Sequence, residues 1–308
     1  MIVGMHHVPA YRSLPLSELQ ARAGAADAKL EACSLCPRAC GVNRKKKEVG
    51  FCGVADAAKA ASWGPHFGEE RPLVGRFGSG TIFLSGCNLG CIFCQNWSIS
   101  HEREGKTLTD RQLAKVMLDI QAMGCHTINF VTPTHQTAAI LRALVLAVDG
   151  GLTLPLVYNC GGYESIETLR LLDGVVDIYM PDVKFMDSAH AARYAQAGDY
   201  PAVVRTALLE MHRQVGDLRI DGAGIALRGL LVRHLVMPGE IAGTEAAMLF
   251  LAEKISVDTY VNVMDQYHPC HKAYDFPELT RRISPAEYKH AVRLAMQAGL
   301  SRIDGETV

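Results

Sequence analysis

The sequence of this chain has almost no net charge. Its 31 Lys and Arg stand against 32 Asp and Glu, a balance of −1, so no global field draws nucleic acid or an anionic membrane toward it. It has no run of 18 apolar residues, so no segment reads as crossing a bilayer. The first residues, MIVGMHHVPAYRSLP, hold neither a basic n-region nor a long apolar h-region, and no signal peptide is expected. These absences together point to the cytoplasm, where thiols stay reduced. No sequence repeat of fixed period runs through the chain. What is present argues against disorder, since hydrophobic residues make up 49% and charged ones 20%. At 308 residues the length suggests two domains or one large α/β barrel.

Cysteine is where composition becomes specific. There are ten, and seven of them (Cys33, Cys36, Cys40, Cys52, Cys87, Cys91, Cys94) fall within 62 positions. A secreted disulfide scaffold is short and loop-rich, and this chain is neither. Clustered thiols in a reduced compartment point instead to metal or redox chemistry.

Residues 14–32 read as one helix, with Leu19, Ala23, Ala26 and Leu30 recurring on one face. The cysteine-rich segment 33–53 follows, and its basic run Arg44-Lys45-Lys46-Lys47 reads as a solvated loop. Residues 54–80 are rich in Gly and Pro and read as a linker that packs by its aromatics, neither helix nor strand. From Thr81 onward a rhythm sets in. Six apolar runs (81–85, 127–131, 154–158, 176–180, 230–236 and 259–264) alternate with longer helical patterns. Such alternation predicts βαβ units and a parallel sheet. Six units fall short of an eight-fold barrel, yet their spacing is that of barrel strands. The expected fold is therefore α/β, a partial (βα)6 barrel over 81–308 with an N-terminal helix and cysteine-rich extension over 1–80. A last helix should open at Ser284-Pro285-Ala286-Glu287, where a Ser N-cap, a Pro at the first helical position and a capping-box Glu coincide. In parallel barrels the site lies at the carboxyl ends of the strands. The segments GCNLGCIFC, TPTHQ, NCGGYE, PDVKF, MPGE and DQYHPCH should then converge on one mouth.

Directly after the first run come Cys87, Cys91 and Cys94, spaced C-x3-C-x2-C on one loop. Thiolates are soft donors that suit zinc or iron–sulfur clusters. Structural zinc and ferredoxin clusters take four protein ligands, whereas a [4Fe–4S] cube held by three cysteines leaves one iron open. Zinc with a remote fourth ligand is the competing reading.

This loop, with Phe93 before its last cysteine, resembles that of the radical S-adenosylmethionine (SAM) enzymes. The resemblance implies a [4Fe–4S] cluster on Cys87, Cys91 and Cys94 whose open iron binds SAM. Reductive cleavage then gives a 5′-deoxyadenosyl radical that abstracts a hydrogen atom. The chain is most similar to the glycyl-radical-enzyme activases, typified by the pyruvate formate-lyase activating enzyme. It is closer still to a branch of that class sharing GSGTIFLSGCNLGCIFCQNW, CSLCPRAC and VTPTH, over nearly the whole chain from Cys33. The resemblance implies a reducing partner of flavodoxin or ferredoxin type and a protein substrate such as a glycyl radical enzyme.

Several residues carry over from the activase pattern. Asn96 matches an Asn of the cluster loop, and the backbone of Phe93 would meet the adenine edge. Asp182 and Lys184 resemble the Met-x-Asp-x-Lys strand end, where Asp helps bind a monovalent cation and Lys approaches the SAM carboxylate. A compact ammonium suits that task. Asn159 stands where the activases have Asp, which removes a negative charge from the cation site. Arg233, inside an apolar strand run, must meet an anion, because an unpaired buried charge is very costly. The SAM carboxylate or an acidic barrel residue would serve. His268 resembles a His that reaches SAM. Where many relatives have Gly-Gly-Glu for the SAM amino group, Val131-Thr132-Pro133-Thr134-His135 stands here, and Thr132 or Thr134 is the weaker acceptor available.

Cys33, Cys36, Cys40 and Cys52 form C-x2-C-x3-C-x11-C, a staple for a segment too short to have its own core. Zinc, a second iron–sulfur cluster and no metal all remain open. Cys125, Cys160 and Cys270 read as packing residues. Within the same radical chemistry, a different peptide, an RNA or a metabolite is the alternative substrate. Outside it, an iron–sulfur electron carrier or a metal-binding scaffold is the alternative, although a carrier would need closed four-cysteine clusters. Nucleic-acid binding would need a basic face with aromatics, which the charge balance does not favour.

Overall fold

The computed structural model describes residues 7–304; the first six residues of the stretch read for a signal peptide lie outside them. Among the described residues ten strands form: β1 (Ala58–His66), β2 (Ser79–Leu84), β3 (Lys106–Leu108), β4 (Ile128–Val131), β5 (Leu156–Cys160), β6 (Ile178–Pro181), β7 (Arg219–Ile220), β8 (Ala226–Leu235), β9 (Tyr260–Met264) and β10 (Arg302–Ile303). The six apolar runs of the sequence fall on β2, β4, β5, β6, β8 and β9. These six pair side by side, in parallel and in chain order. β2 continues to β1 and β9 to β10, so the parallel sheet stays open as a partial barrel. β5 and β6 are buried along their whole length, as strands covered on both faces must be.

Helices connect the strands because their apolar faces need the sheet. Asp110–Ala122 starts at a Thr109/Gln112 capping box and buries Leu113, Val116, Met117 and Ile120. Each such side chain contributes about 1.5–3 kcal/mol on burial. Thr137–Asp149 packs beside it. Tyr200–Val215, which the sequence pattern did not single out, lies on β6 and β8. The last helix, Pro285–Gln297, has the Ser284 cap and Glu287 capping box expected of it.

Three expectations need correction. The first helix runs only Leu16–Ala28, although Leu30 is also buried. The segment 54–80 is not a linker: β1 pairs antiparallel with β2 and β3. The supposed boundary at residue 80 falls inside β2, and Ala58 and Ala60 belong to the same core as the barrel. Its aromatics Trp63, Phe67 and Phe77 do not pack inward but stand exposed. β1 has no β-branched residue, so pairing rather than local propensity makes it a strand, and Pro65 fits because β3 covers only Ala58–Ala60 of its outer edge. Finally, Arg44 of the basic run is buried at 2% exposure, while Lys45–Lys47 are exposed as expected. No described helix is long and apolar enough to cross a membrane.

Candidate active site

A cleft of about 520 Å³ opens at the carboxyl ends of the parallel strands. Its walls take Thr132 after β4, Asn159 of β5, Asp182 and Lys184 after β6, and Arg233 of β8, with Cys87, Cys91 and Cys94 after β2. Phe93 and Asn96 of the same loop also line it. His268 does not. It lies beside the rim, its Nδ1 3.2 Å from Gln95 Nε2, and Gln95 reaches the cleft.

The three-cysteine loop is held by its backbone. Gly90 N–H and Ile92 N–H donate to the carbonyls of Ala195 and Tyr194, and Lys272 N–H donates to Ile92 O. The buried Asn88 side chain donates to Tyr163 O at 2.6 Å, and Cys270 Sγ lies 3.1 Å from Phe93 O. Gly86, at φ +81°, permits the turn: a Cβ there would lie 2.5 Å from Cys52 O. The sulfurs have polar company too. Leu89 N–H points at Cys87 Sγ (3.3 Å), and Ser100 Oγ lies 3.1 Å from Cys94 Sγ. Burial pushes the Cys91 thiol up to about 12 against the pull of the Lys184 ammonium, so ligand formation must expel the proton.

The opposite wall is an ion network that the sequence did not reveal. Arg233 Nε and Nη2 each lie 2.6 Å from a Glu70 carboxylate oxygen, and Nη2 also meets Glu69. Glu70 further accepts from Asn262 Nδ2 at 2.7 Å. Burial would raise the Glu70 carboxyl, but Arg233 outweighs it and holds it below the ordinary value. The two acids come from the stretch read as a linker. The available signal was Arg233, the single Arg in the apolar run 230–236, which obliges an acid somewhere to face it. Lys184 Nζ lies 2.5 Å from Asp182 Oδ2; burial would lower this ammonium, yet the Asp182 carboxylate raises it above its ordinary value. Thr132 sits at φ +60° on the cleft wall, a strained conformation for a β-branched residue. Behind the wall, fully buried Glu164 accepts from Thr134 Oγ1 (2.6 Å) and Tyr158 OH (3.1 Å), and burial lifts its carboxyl to about 7 despite those bonds.

A family model described as the radical SAM superfamily matches residues 81–251. This chain belongs to the radical SAM superfamily. Two Methanocaldococcus jannaschii proteins are similar to it: "Uncharacterized protein MJ0674", 32% identical over 88% of this chain and 76% of that one, and "Uncharacterized protein MJ0808", 25% identical over 88% and 79%. Among solved structures, HydG, a maturase of the [FeFe]-hydrogenase, matches with a TM-score of 0.48 and 17% identity over 70% of this chain. The chain covers about half of that one (47%), and a likeness of this degree carries no functional argument.

Radical SAM membership implies a [4Fe–4S] cluster and SAM. Among the described residues, no three His, Cys, Asp or Glu side chains converge as ligands of a single ion. The residues of this radical SAM cleft fit a cluster with SAM beside it. Three soft donors share one loop, an N–H and a hydroxyl stand by two of the sulfurs, and the cleft volume is in the range of small-molecule sites.

Proposed function

We propose that this radical SAM enzyme holds its [4Fe–4S] cluster on Cys87, Cys91 and Cys94, binds SAM in the cleft beside them, and abstracts a hydrogen from a glycine of a partner protein, as activases do. The observation that carries the reading is that three thiols and the ends of the parallel strands line one cleft. When bound, cluster and SAM supply a one-electron bond cleavage and a hydrogen-abstracting radical. The chain's own residues bind, orient and shield. Lys184, braced by Asp182, offers its ammonium to the SAM carboxylate, and Asn96 and the Phe93 backbone offer hydrogen bonds to its polar edges. Thr132 and Asn159 complete the wall, and His268 acts at the rim through Gln95. Arg233 is neutralised by Glu69 and Glu70, so its part is to hold the wall rather than to bind SAM. Those same acids stand where a SAM ammonium could be met, in place of the missing second-strand Glu. A flavodoxin- or ferredoxin-type protein supplies the electron.

What supports the activase reading is the resemblance of the Met180–Lys184 and Arg233–Gly239 segments at this mouth. The test is anaerobic incubation with SAM, dithionite and a glycyl radical enzyme carrying α-deuterated glycine. The expected result is deuterium in the released 5′-deoxyadenosine together with a glycyl radical signal in electron paramagnetic resonance. Deuterium-free 5′-deoxyadenosine would overturn the activase reading while leaving SAM cleavage in place, and no 5′-deoxyadenosine at all would overturn both.

A further inference from the structure

Four thiols stand outside the cleft and have no part in the function above. Cys33, Cys36, Cys40 and Cys52 line a second pocket, of about 10 Å³, together with Arg38, Arg44 and His135. The electrostatics of this pocket are unbalanced. Arg44 is almost wholly buried, yet its guanidinium finds only the carbonyls of Ala55 and His135, with Nη1 3.7 Å from Cys33 Sγ. Arg38 donates to the carbonyls of Asn88 and Gln196 and stacks over Phe51 at 3.9 Å. Among the described residues neither guanidinium has a carboxylate partner, and for the buried Arg44 a cation without a counter-charge is very costly; Arg38 is half-buried. His135, 1% exposed, keeps Nε2 2.9 Å from Ser85 O. Three buried side-chain polar atoms lack a partner among the described residues, and two of them, Arg38 Nη2 and His135 Nδ1, belong to this pocket.

We propose that Cys33, Cys36, Cys40 and Cys52 bind, as thiolates, a second metal centre separate from the cleft: a tetrathiolate zinc or an iron–sulfur cluster. Either centre carries a charge of about −2 with its four thiolates. That supplies the counter-charge Arg44 and Arg38 lack, and its sulfurs can accept from the orphaned Arg38 N–H. The side chains line the pocket without converging on one point, so zinc would draw them inward, whereas a cluster would span part of the gap itself. Gly50 shows how closely the backbone is laid against one ligand: a Cβ there would lie 2.8 Å from Cys40 Sγ. The centre also braces the cleft, since Arg38 Nε donates to Asn88 O of the three-cysteine loop (2.9 Å) and Gly86 of that loop abuts Cys52 O.

The Cys87/Cys91/Cys94→Ala variant of the full chain isolates this centre. It would be loaded anaerobically with zinc in one arm and with iron and sulfide in the other. The expected result is roughly one zinc without colour, or about four irons with sulfide and brown charge-transfer absorbance, retained after gel filtration. Adding Cys40→Ser, at the exposed ligand where misfolding is the smallest concern, should strip the metal. Arg44→Met should weaken retention against a chelator roughly tenfold or more, and Arg44→Lys should restore most of it. A folded triple variant that keeps only trace metal in both arms would overturn the proposal, as would full metal retention after Cys36→Ala and Cys40→Ser together. Neither failure bears on the cleft, whose cysteines are already absent from the variant.

Discussion

Cys87, Cys91 and Cys94 stand at the wall of a cleft of about 520 Å³, whereas Cys33, Cys36, Cys40 and Cys52 line a pocket of about 10 Å³. The first set is short by one ligand and has a ligand-sized space beside it. The second has four sulfurs and no room for a small-molecule ligand beside them. The surroundings differ in the same sense. In the cleft wall the two inward-facing cations are paired, Arg233 with Glu69 and Glu70 and Lys184 with Asp182. Around the small pocket the buried Arg44 and the half-buried Arg38 have no carboxylate partner among the described residues. On the proposed assignments, ligand count together with free volume, rather than cysteine content, would separate a centre that does chemistry from one that holds the chain together.

The largest effects should come from the cysteines themselves. Cys91→Ala is expected to reduce 5′-deoxyadenosine formation to background with little change in melting temperature. Cys36→Ala should do the reverse, lowering melting by roughly 5–15 °C while a cleft cluster still assembles. Activity assay and calorimetry on the pair would decide, and an exchange of the two phenotypes would break the comparison outright.

Arg233→Met tests the paired wall. It leaves Glu69 and Glu70 buried without their cation, at a cost of about 3–5 kcal/mol in denaturant unfolding. Glu70→Gln on that background should recover part of the loss. Metal at the four-cysteine pocket should be unaffected, because that pocket lies on the other side of the three-cysteine loop.

Glu164 sits between the two regions, bonded toward Cys160 on the cleft side and felt electrostatically by Cys36 on the other. Its carboxyl, raised from 4.5 to about 7, is protonated preferentially in the folded chain. That contribution is full below about pH 4.5 and is lost as pH rises through 7, up to about 3 kcal/mol in all. Glu164→Gln should therefore flatten the stability profile between pH 5 and pH 8. Parallel profiles for the two proteins would show that the carboxyl ionises without consequence.

The smallest effect expected is on SAM affinity. Lys184→Ala removes a charge-assisted contact of about 1.5–3 kcal/mol, or roughly 10- to 150-fold in the dissociation constant, with the cluster still assembled. Titrating SAM against the cluster's electron paramagnetic resonance signal would measure it. An unchanged constant would mean that Lys184 serves Asp182 alone.

Much of the fold could be read in advance because buried parallel strands are covered on both faces and are mostly apolar, as the IFL of TIFLS and the IYM of VDIYM are. The capping box at Ser284 was legible for an equally local reason. β1 was not, since AKAASWGPH has neither alternation nor β-branching, and only β2 and β3 make it a strand. Glu69 and Glu70 were hidden for the same cause. A Glu pair in a Gly-rich stretch looks solvated until the chain folds that stretch against Arg233. Seven of the eight residues expected around SAM line the cleft, since strand ends of one parallel sheet share one mouth; His268 lies one side chain away, on a loop whose course no strand dictates.

By itself, then, the sequence determined the alternation of strands and helices, the three-thiol loop after the first parallel strand and the obligation of Arg233 to find an anion, because each depends on residue type at short range. Which acids meet Arg233, that Arg44 is buried against thiols rather than solvated, and that the two cysteine sets lie back to back across Gly86 were decided only by tertiary structure. Those are contacts between segments from about ten to more than a hundred and fifty residues apart, and no local pattern encodes which distant groups a closing sheet brings within reach.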